Sequence, residues 1–506
     1  MHHLHTLAQE LYNKLYRKAP EGYGWINVAS GLTLSEVAFR DFYTDFEPKD
    51  VSLATQIGPV TMNVPVLAAA MDTVSGPRMA RAMTGVGGAA VIFRHRNPET
   101  QLAWIEEAIR ARPYLVANPV YVQSDARIED VEALYDRTHY STIPVLKGDV
   151  LVGMIFTRDI SWEGHEKHPV TQWMKPLAEL KTVSADTDFE TIRNRLLNEK
   201  ECGVLPVVNG HGRFRGMYFP KDVRHVDPAW HIGKPLVGMA VGVQVGDLER
   251  VTGALELGIG VIVIDSSHGN CLPVIEQARR IVSLVEDRAA VIAGNVANID
   301  GYIRLAETGV HAVKAGIGSG SICTTSQVTG AGVPMWSLLR ELAFAKTELE
   351  KRGQHAPVII ADGGVSGPGF AVRALAAGAH AVMAGEWLAA AEEAGSPEIQ
   401  NARRETKGVT ENRYRGMASE GAIKDRSSDR YGMSKSAPEG VDGWVQSRGS
   451  LNRWWNKDAE LIRGGFAHLG ARNIEELHAR GNQPYVWVSF TGAGQQQMAV
   501  RVATNP

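Results

Sequence analysis

Eight short apolar runs, most of them rich in valine and isoleucine, recur along the chain at residues 64–70, 88–93, 236–241, 260–265, 290–295, 312–316, 358–362 and 381–385. Apolar residues at successive rather than alternate positions mark strands buried on both faces. Helical segments at 248–257, 272–285 and 369–377 lie between them. Strand and helix in alternation around eight strands predict an α/β protein built as a (β/α)8 TIM barrel. The 52 glycines, about a tenth of the chain, suit many tight strand-to-helix turns.

The rhythm breaks once, and the break is itself a repeat. The runs Ile-Pro-Val-Leu at 143–146, Val-Gly-Met-Ile at 152–155 and Thr-Arg-Asp-Ile at 157–160 return as Leu-Pro-Val-Val at 205–208, Arg-Gly-Met-Tyr at 215–218 and Pro-Lys-Asp-Val at 220–223. Pro144 and Pro206 are 62 residues apart. Each copy reads as a strand, a turn, a second strand and a helix that starts at the aspartate, with helical patterns ahead of it at 128–140 and 189–200. The pair resembles a tandem CBS (Bateman-type) module. That resemblance implies regulatory ATP or GTP near Thr157, Asp159 and Asp222, although Pro220 stands in the second copy where the first has Thr157. A structural spacer is the alternative. The module is expected in one βα loop, residues 107–228, between the second and third strands. Residues 1–106 and 229–506 are then the two parts of the barrel.

Composition excludes several partners. With 53 basic and 56 acidic side chains the formal charge is −3, which supplies no basic field for nucleic acid. No apolar run approaches the ~20 residues of a membrane span, and no signal-peptide pattern heads the sequence. Three cysteines cannot form a disulfide framework, so a reducing, cytoplasmic compartment is expected.

In barrels the chemistry gathers at the C-terminal ends of the strands. Here those ends carry Asp265-Ser266-Ser267-His268, Gly294-Asn295, Gly316, Asp362-Gly363-Gly364 and Gly385-Glu386. The sharpest motif is Gly316-Ile317-Gly318-Ser319-Gly320-Ser321-Ile322-Cys323-Thr324-Thr325. Alternating glycines let backbone approach an anion or ion closely. A cysteine on such a loop is accessible as a nucleophile. Cys202, in the repeat, and Cys271, opening a helix, read as structural. No Rossmann Gly-x-Gly-x-x-Gly stands at a strand–helix junction, so any dinucleotide must bind at the barrel mouth.

The Cys323 loop resembles the signature of the IMP dehydrogenase / GMP reductase family. So do Ala70-Met71-Asp72-Thr73-Val74, Val263 through Asn270, Ala293-Gly294-Asn295-Val296, Ala361-Asp362-Gly363-Gly364, Tyr414-Arg415-Gly416-Met417 and Pro438-Glu439-Gly440, in the family's order. The resemblance implies a purine nucleoside monophosphate substrate and NAD, or NADPH in the reductases. It makes Cys323 the nucleophile at purine C2, with Thr325 beside it. It places the phosphate at Ser321, Gly364, Gly385 and Tyr414, with Gly363 alongside, and the ribose diol at Asp362. It places the base against Gly416, Met417, Ala418 and Glu439. Asp265, Ser266, Ser267, Asn295 and Gly316 fall where the dinucleotide binds. The carbonyls of Gly318, Gly320 and Cys323 match those that hold potassium. A homotetramer, pairing further into an octamer, is also implied.

Ser427-Ser428-Asp429-Arg430-Tyr431 resembles the flap of the dehydrogenases, whose Arg-Tyr pair activates water. This makes Arg430 and Tyr431 catalytic and the dehydrogenase the leading expectation. Other positions depart from that pattern. Glu386 stands where the family usually has a serine at the phosphate, and a carboxylate beside a dianion costs free energy unless turned away or paired. Glu420 falls where reductases place a glutamate, which would pair it with Thr325. The end of the chain, around Gly492-Ala493-Gly494-Gln495, lacks the acidic segment that completes the potassium site. A nucleotide sensor without catalysis is the non-enzymatic alternative.

Overall fold

The computed structural model describes residues 2–17, 31–110, 114–116, 119–160, 162–199, 203–224, 235–244, 246–399, 403–425, 437–481 and 486–488. The eight apolar runs form eight parallel strands: β1 Val66–Ala68, β2 Ala89–Ile92, β3 Val237–Val241, β4 Val261–Asp265, β5 Ala290–Val296, β6 Ala312–Ala315, β7 Val358–Asp362 and β8 Ala381–Ala384. They close into a barrel in chain order, with β8 returning to β1 through Val382 beside Val66 and Ala384 beside Ala68. Val263 and Ile264 on β4 are fully buried. Burying such a side chain stabilises by roughly 1.5–3 kcal/mol, which is why the strands read as unbroken apolar runs.

Helices α1 Pro77–Gly85, α2 Pro98–Arg110, α3 Gly246–Leu257, α4 Leu272–Val285, α5 Ile299–Ala306, α6 Met335–Lys351 and α7 Pro368–Ala376 follow strands in the expected rhythm. The eighth, α8 Leu451–His468, comes only after a sheet of strands Arg403–Thr406, Val409–Arg415 and Asp442–Gln446. It packs against both α7 and α1, completing the ring. Among the described residues no helix is long and apolar enough to cross a membrane.

The chain divides into two compact units, one of residues 1–110 with 229–506 and one of residues 111–228. The boundary is not at 107, because α2 continues to Arg110 with Gln101, Trp104, Ile105 and Ala108 on its buried face. The interrupting unit therefore follows a helix and precedes β3. It occupies an αβ connection, not the βα loop expected from sequence, so it is not one of the loops that follow a strand into the site.

Within the smaller unit the repeat forms two matching halves. In the first, Val122–Gln123 lies parallel to Thr142–Lys147, Thr142–Lys147 pairs with Val150–Phe156, and Val150–Phe156 pairs in turn with Lys175–Pro176. In the second, Val183 lies parallel to Val207, Leu205–Val208 pairs with Phe214–Tyr218, and Val116 completes the set beside Met217. Each half thus takes its outer strand from the segment that leads into the other. The aspartates do not start helices. Asp159 ends the 3-10 turn Thr157–Asp159, and Asp222 is the third residue of the short helix Pro220–Val223. Thr157 is buried, whereas Asp159 is exposed and paired with Arg158. Cys202 lies outside the described residues.

Candidate active site

The C-terminal ends of the strands open into one cavity of about 780 Å³, a size suited to a small-molecule site. Asp265, Ser266 and Ser267 reach it from β4, and Asn295 from β5. The loop after β6 contributes Gly316, Gly318, Gly320, Ser321, Cys323 and Thr325. Asp362, Gly363 and Gly364 follow β7, and Gly385 and Glu386 follow β8. The excursion before α8 adds Tyr414, Gly416, Met417, Ala418 and Glu439. Apart from Glu420, every described residue singled out for the catalytic site from sequence therefore faces one space. Arg430 and Tyr431 lie outside the described residues.

The Gly-rich loop fits because of what it must pass. Gly316 has φ +132°, and a Cβ there would lie 2.2 Å from the Asp362 carbonyl oxygen. The loop then turns so that the Cys323 N–H donates to the Gly320 carbonyl at 3.1 Å. A second segment holds it from the other side. Thr324 N–H donates to the Glu439 carbonyl at 3.0 Å, and Val441 N–H to the Ile322 carbonyl at 3.0 Å. Residues 439–441 are thereby pinned against the cysteine loop, with Cys323 bridged to Gly440.

This pinning builds a relay. The Cys323 thiol, half-buried, donates to Thr325 Oγ1 at 3.2 Å. Thr325 Oγ1 donates in turn to Glu439 Oε2 at 3.0 Å. A hydroxyl accepts and donates at once, so it can pass a proton from thiol to carboxylate. Glu420 is not the partner of Thr325, contrary to the expectation from sequence. It is exposed on the short helix Glu420–Lys424 and pairs with Lys424 at 2.8 Å.

Two hydroxyl groups, of Tyr414 and Ser321, also line the cavity. Asn412 Nδ2 donates to the carbonyls of Ala389 and Ala391, both at 2.9 Å, which fixes the strand Val409–Arg415 over the helix Glu386–Ala389. Tyr414 then meets Gly385, where a Cβ would fall 2.7 Å from the phenol oxygen. Ser321 hydrogen-bonds the same phenol. Burial pushes the Tyr414 phenol well above its ordinary range; the Ser321 bond opposes this, and the Glu386 and Asp362 carboxylates add to it. Trp387 is buried and donates to Asp458 of α8 at 2.8 Å, leaving its neighbour Glu386 on the cavity side.

A buried charge cluster floors the site. Lys314, on β6 and only 2 % exposed, donates to Asp265 Oδ1 at 2.8 Å, to Asp362 Oδ2 at 2.6 Å and to Asn295 Oδ1. Asn295 Nδ2 donates to Asp362 Oδ2 at 2.9 Å and to the Gly316 carbonyl at 2.6 Å. The fully buried Arg415 pairs with the fully buried Asp72, its Nε 3.0 Å from Oδ2, and its Nη1 also meets the exposed Asp425 at 2.6 Å. That pair ties the loop after β1 to the strand bearing Tyr414.

Residues 31–500 match the IMP dehydrogenase / GMP reductase domain. The chain belongs to the IMP dehydrogenase / GMP reductase family. It is 34% identical over 480 residues to the inosine-5'-monophosphate dehydrogenase of Streptococcus pyogenes, covering 92% of this chain and 94% of that protein. The corresponding enzyme of Aquifex aeolicus is 35% identical over 489 residues, covering 94% and 96%. Among solved structures, a GMP reductase variant from Trypanosoma brucei in complex with guanosine 5'-monophosphate aligns with TM-score 0.66 at 27% identity, over 94% of this chain and 99% of that one. The same reductase variant, described without the nucleotide, aligns at TM-score 0.71 and 26% identity, over 93% and 100%.

In this family member sequence reasoning missed Lys314, which lines the cavity, and the buried Asp72–Arg415 pair at the strand that bears Tyr414. For Lys314 a signal existed, since a lone cation inside the buried run Ala312-Val313-Lys314-Ala315 requires a partner. The Gly318, Gly320 and Cys323 residues expected to hold a cation lie together on the loop that lines the cavity. The loop offers backbone carbonyls, one of them already bound to the Cys323 N–H. Among the described residues no group of three or more His, Cys, Asp or Glu side chains is placed to hold a metal ion. No step is assigned to a cation. The dinucleotide finds a fit, because the β4 and β5 ends supply a carboxylate, two hydroxyls and an amide on the cysteine's own cavity.

Proposed function

We propose that this chain oxidises IMP to XMP with NAD+. The Cys323–Thr325–Glu439 relay inside the cavity supports the covalent chemistry, and the dehydrogenase direction rests on the Arg430-Tyr431 match in sequence and on the dehydrogenase relatives. Thr325 and Glu439 take the thiol proton as Cys323 sulfur adds to purine C2. NAD supplies the acceptor for the hydride that leaves C2. The purine is then joined to Cys323 as a covalent imidate, which water hydrolyses to XMP and free thiol. Ser321, Gly364, Gly385 and Tyr414 hold the 5′-phosphate, and Asp362 holds the nucleotide ribose. Met417 and Ala418 flank the base. Asp265, Ser266, Ser267 and Asn295 take the nicotinamide ribose. Asp429-Arg430-Tyr431, matching the dehydrogenase flap in sequence, support hydrolysis as the second step.

A second reading is GMP reductase, giving IMP and ammonia with NADPH. It is favoured by the T. brucei reductase structures, which align over nearly the whole chain. The relay serves either reaction, since ammonia leaving C2 needs the proton that Glu439 holds. Residues 111–228 are read as a CBS pair binding ATP or GTP, and the assembly as a homotetramer.

Absorbance of reduced nicotinamide decides between the readings. IMP with NAD+ should raise it and GMP with NADPH should leave it unchanged. A fall with the second pair alone overturns the dehydrogenase assignment, and no change with either overturns both.

A further inference from the structure

We propose that Lys314 is a positioning residue that couples the two ribose-binding carboxylates, so that the nucleotide side of the cavity sets the affinity of the dinucleotide side. The inference rests on the substrate assignment above.

An ammonium has three donors and no acceptor. Lys314 spends them on Asp265 of β4, Asn295 of β5 and Asp362 of β7, so its charge is held by three strands at once. Buried to this degree, it has no water to exchange with, and its position follows from those acceptors alone. Asn295 adds a second donor to the same Asp362 oxygen, at 2.9 Å. Each carboxylate thus has one oxygen committed to a shared cation, which fixes how the rest of the group meets a ligand. One positive charge serves two negative ones. Whatever weakens its hold on Asp362 strengthens its hold on Asp265, and by linkage the reverse holds.

The consequence distinguishes this role from simple packing. Asp362→Asn removes a nucleotide ligand, and Lys314 then pairs wholly with Asp265. The affinity for NAD+ should fall three- to tenfold although NAD+ does not touch Asp362. In a Lys314→Gln background the same Asp362 change should leave NAD+ affinity within twofold.

Titration calorimetry on the full chain, with IMP and NAD+ as separate probes and thermal melting as the folding control, tests this; NADPH replaces NAD+ if the reductase reading holds. Loss of coupling in Lys314→Gln supports the proposal. Equal Asp362→Asn effects with and without Lys314 overturn it. If Lys314→Gln does not fold, the Asp362→Asn chain alone decides: an unchanged dinucleotide affinity overturns the proposal and a three- to tenfold loss supports it. A wild-type chain that binds neither probe sinks the substrate assignment instead, a result distinct from additive binding.

Discussion

Thr325 donates its hydroxyl hydrogen to a carboxylate 114 residues further along the chain, Glu439, at 3.0 Å, while accepting from the Cys323 thiol. The contact depends on residues 439–441 lying against the cysteine loop, and it gives the thiol a proton acceptor it has nowhere else in the loop.

Glu439→Gln should therefore lower kcat by roughly 10²–10⁴-fold, the usual worth of general acid–base catalysis, with nucleotide affinity largely kept. Glu420→Gln should stay within twofold of the parent, since Glu420 is exposed and bonded to Lys424. Cys323→Ala should abolish turnover yet still bind nucleotide, as equilibrium binding would show. Steady-state kinetics on the three variants checks the order.

Glu386 should make nucleotide binding depend on pH. The 5′-phosphate becomes a dianion above about pH 6, and the Glu386 carboxylate, close enough to Tyr414 to act on its phenol, repels it. The nucleotide KM of the wild-type enzyme should rise as pH passes from about 6 to 8. Glu386→Ser should lower that KM roughly tenfold at the upper end, about 1.4 kcal/mol, and flatten the dependence. A KM that the substitution does not change would place the phosphate elsewhere.

The Asp72–Arg415 pair should behave as a buried salt bridge. Both side chains are fully buried. Asp72→Ala leaves Arg415 with only the exposed Asp425, 2.6 Å from its Nη1, so the loss in denaturant unfolding should fall below the roughly 3–5 kcal/mol of a buried pair whose survivor has no partner. The double change Asp72→Leu with Arg415→Met should recover most of that loss.

Residues 111–228 form a unit with apolar clusters of their own, around Ile192 and Leu205 and around Ile128 and Val145. Their deletion, bridged by a short Gly/Ser linker, should leave a folded barrel with catalytic activity within a few fold of the parent. Any response to ATP or GTP should disappear. Activity assays with and without ATP on both chains provide the comparison.

His380, just ahead of β8, is held well below the ordinary imidazole range by burial, with His478 and Lys346 adding to the effect. Its folded pKa is depressed, so the unfolded chain takes up a proton first as pH falls. The stability it contributes is complete above about pH 6.5 and is lost progressively below it. His380→Asn keeps an acceptor for the Ile359 N–H and should make unfolding free energy less steep between pH 6.5 and 5.

The barrel was legible in the sequence because strands buried on both faces cannot hide: 290–293 and 358–361 are apolar at successive positions, as the surrounding helices need not be. The polar residues at the ends of those runs were legible for the same reason, as departures from an otherwise unbroken pattern. What sequence could not decide was which distant groups meet. The resemblance points to Glu420 as the partner of Thr325 and puts Glu439 at the purine base. Only the bridge of Cys323 to Gly440 brings one within 3.0 Å and leaves the other in solvent. Whether the interruption comes before or after α2 likewise depended on where α2 ends, which its packing face decides and a local pattern does not. Lys314 shows the division most clearly. Its presence in a buried strand is written in the sequence, but its three acceptors stand on three other strands, and barrel closure alone sets them around one ammonium.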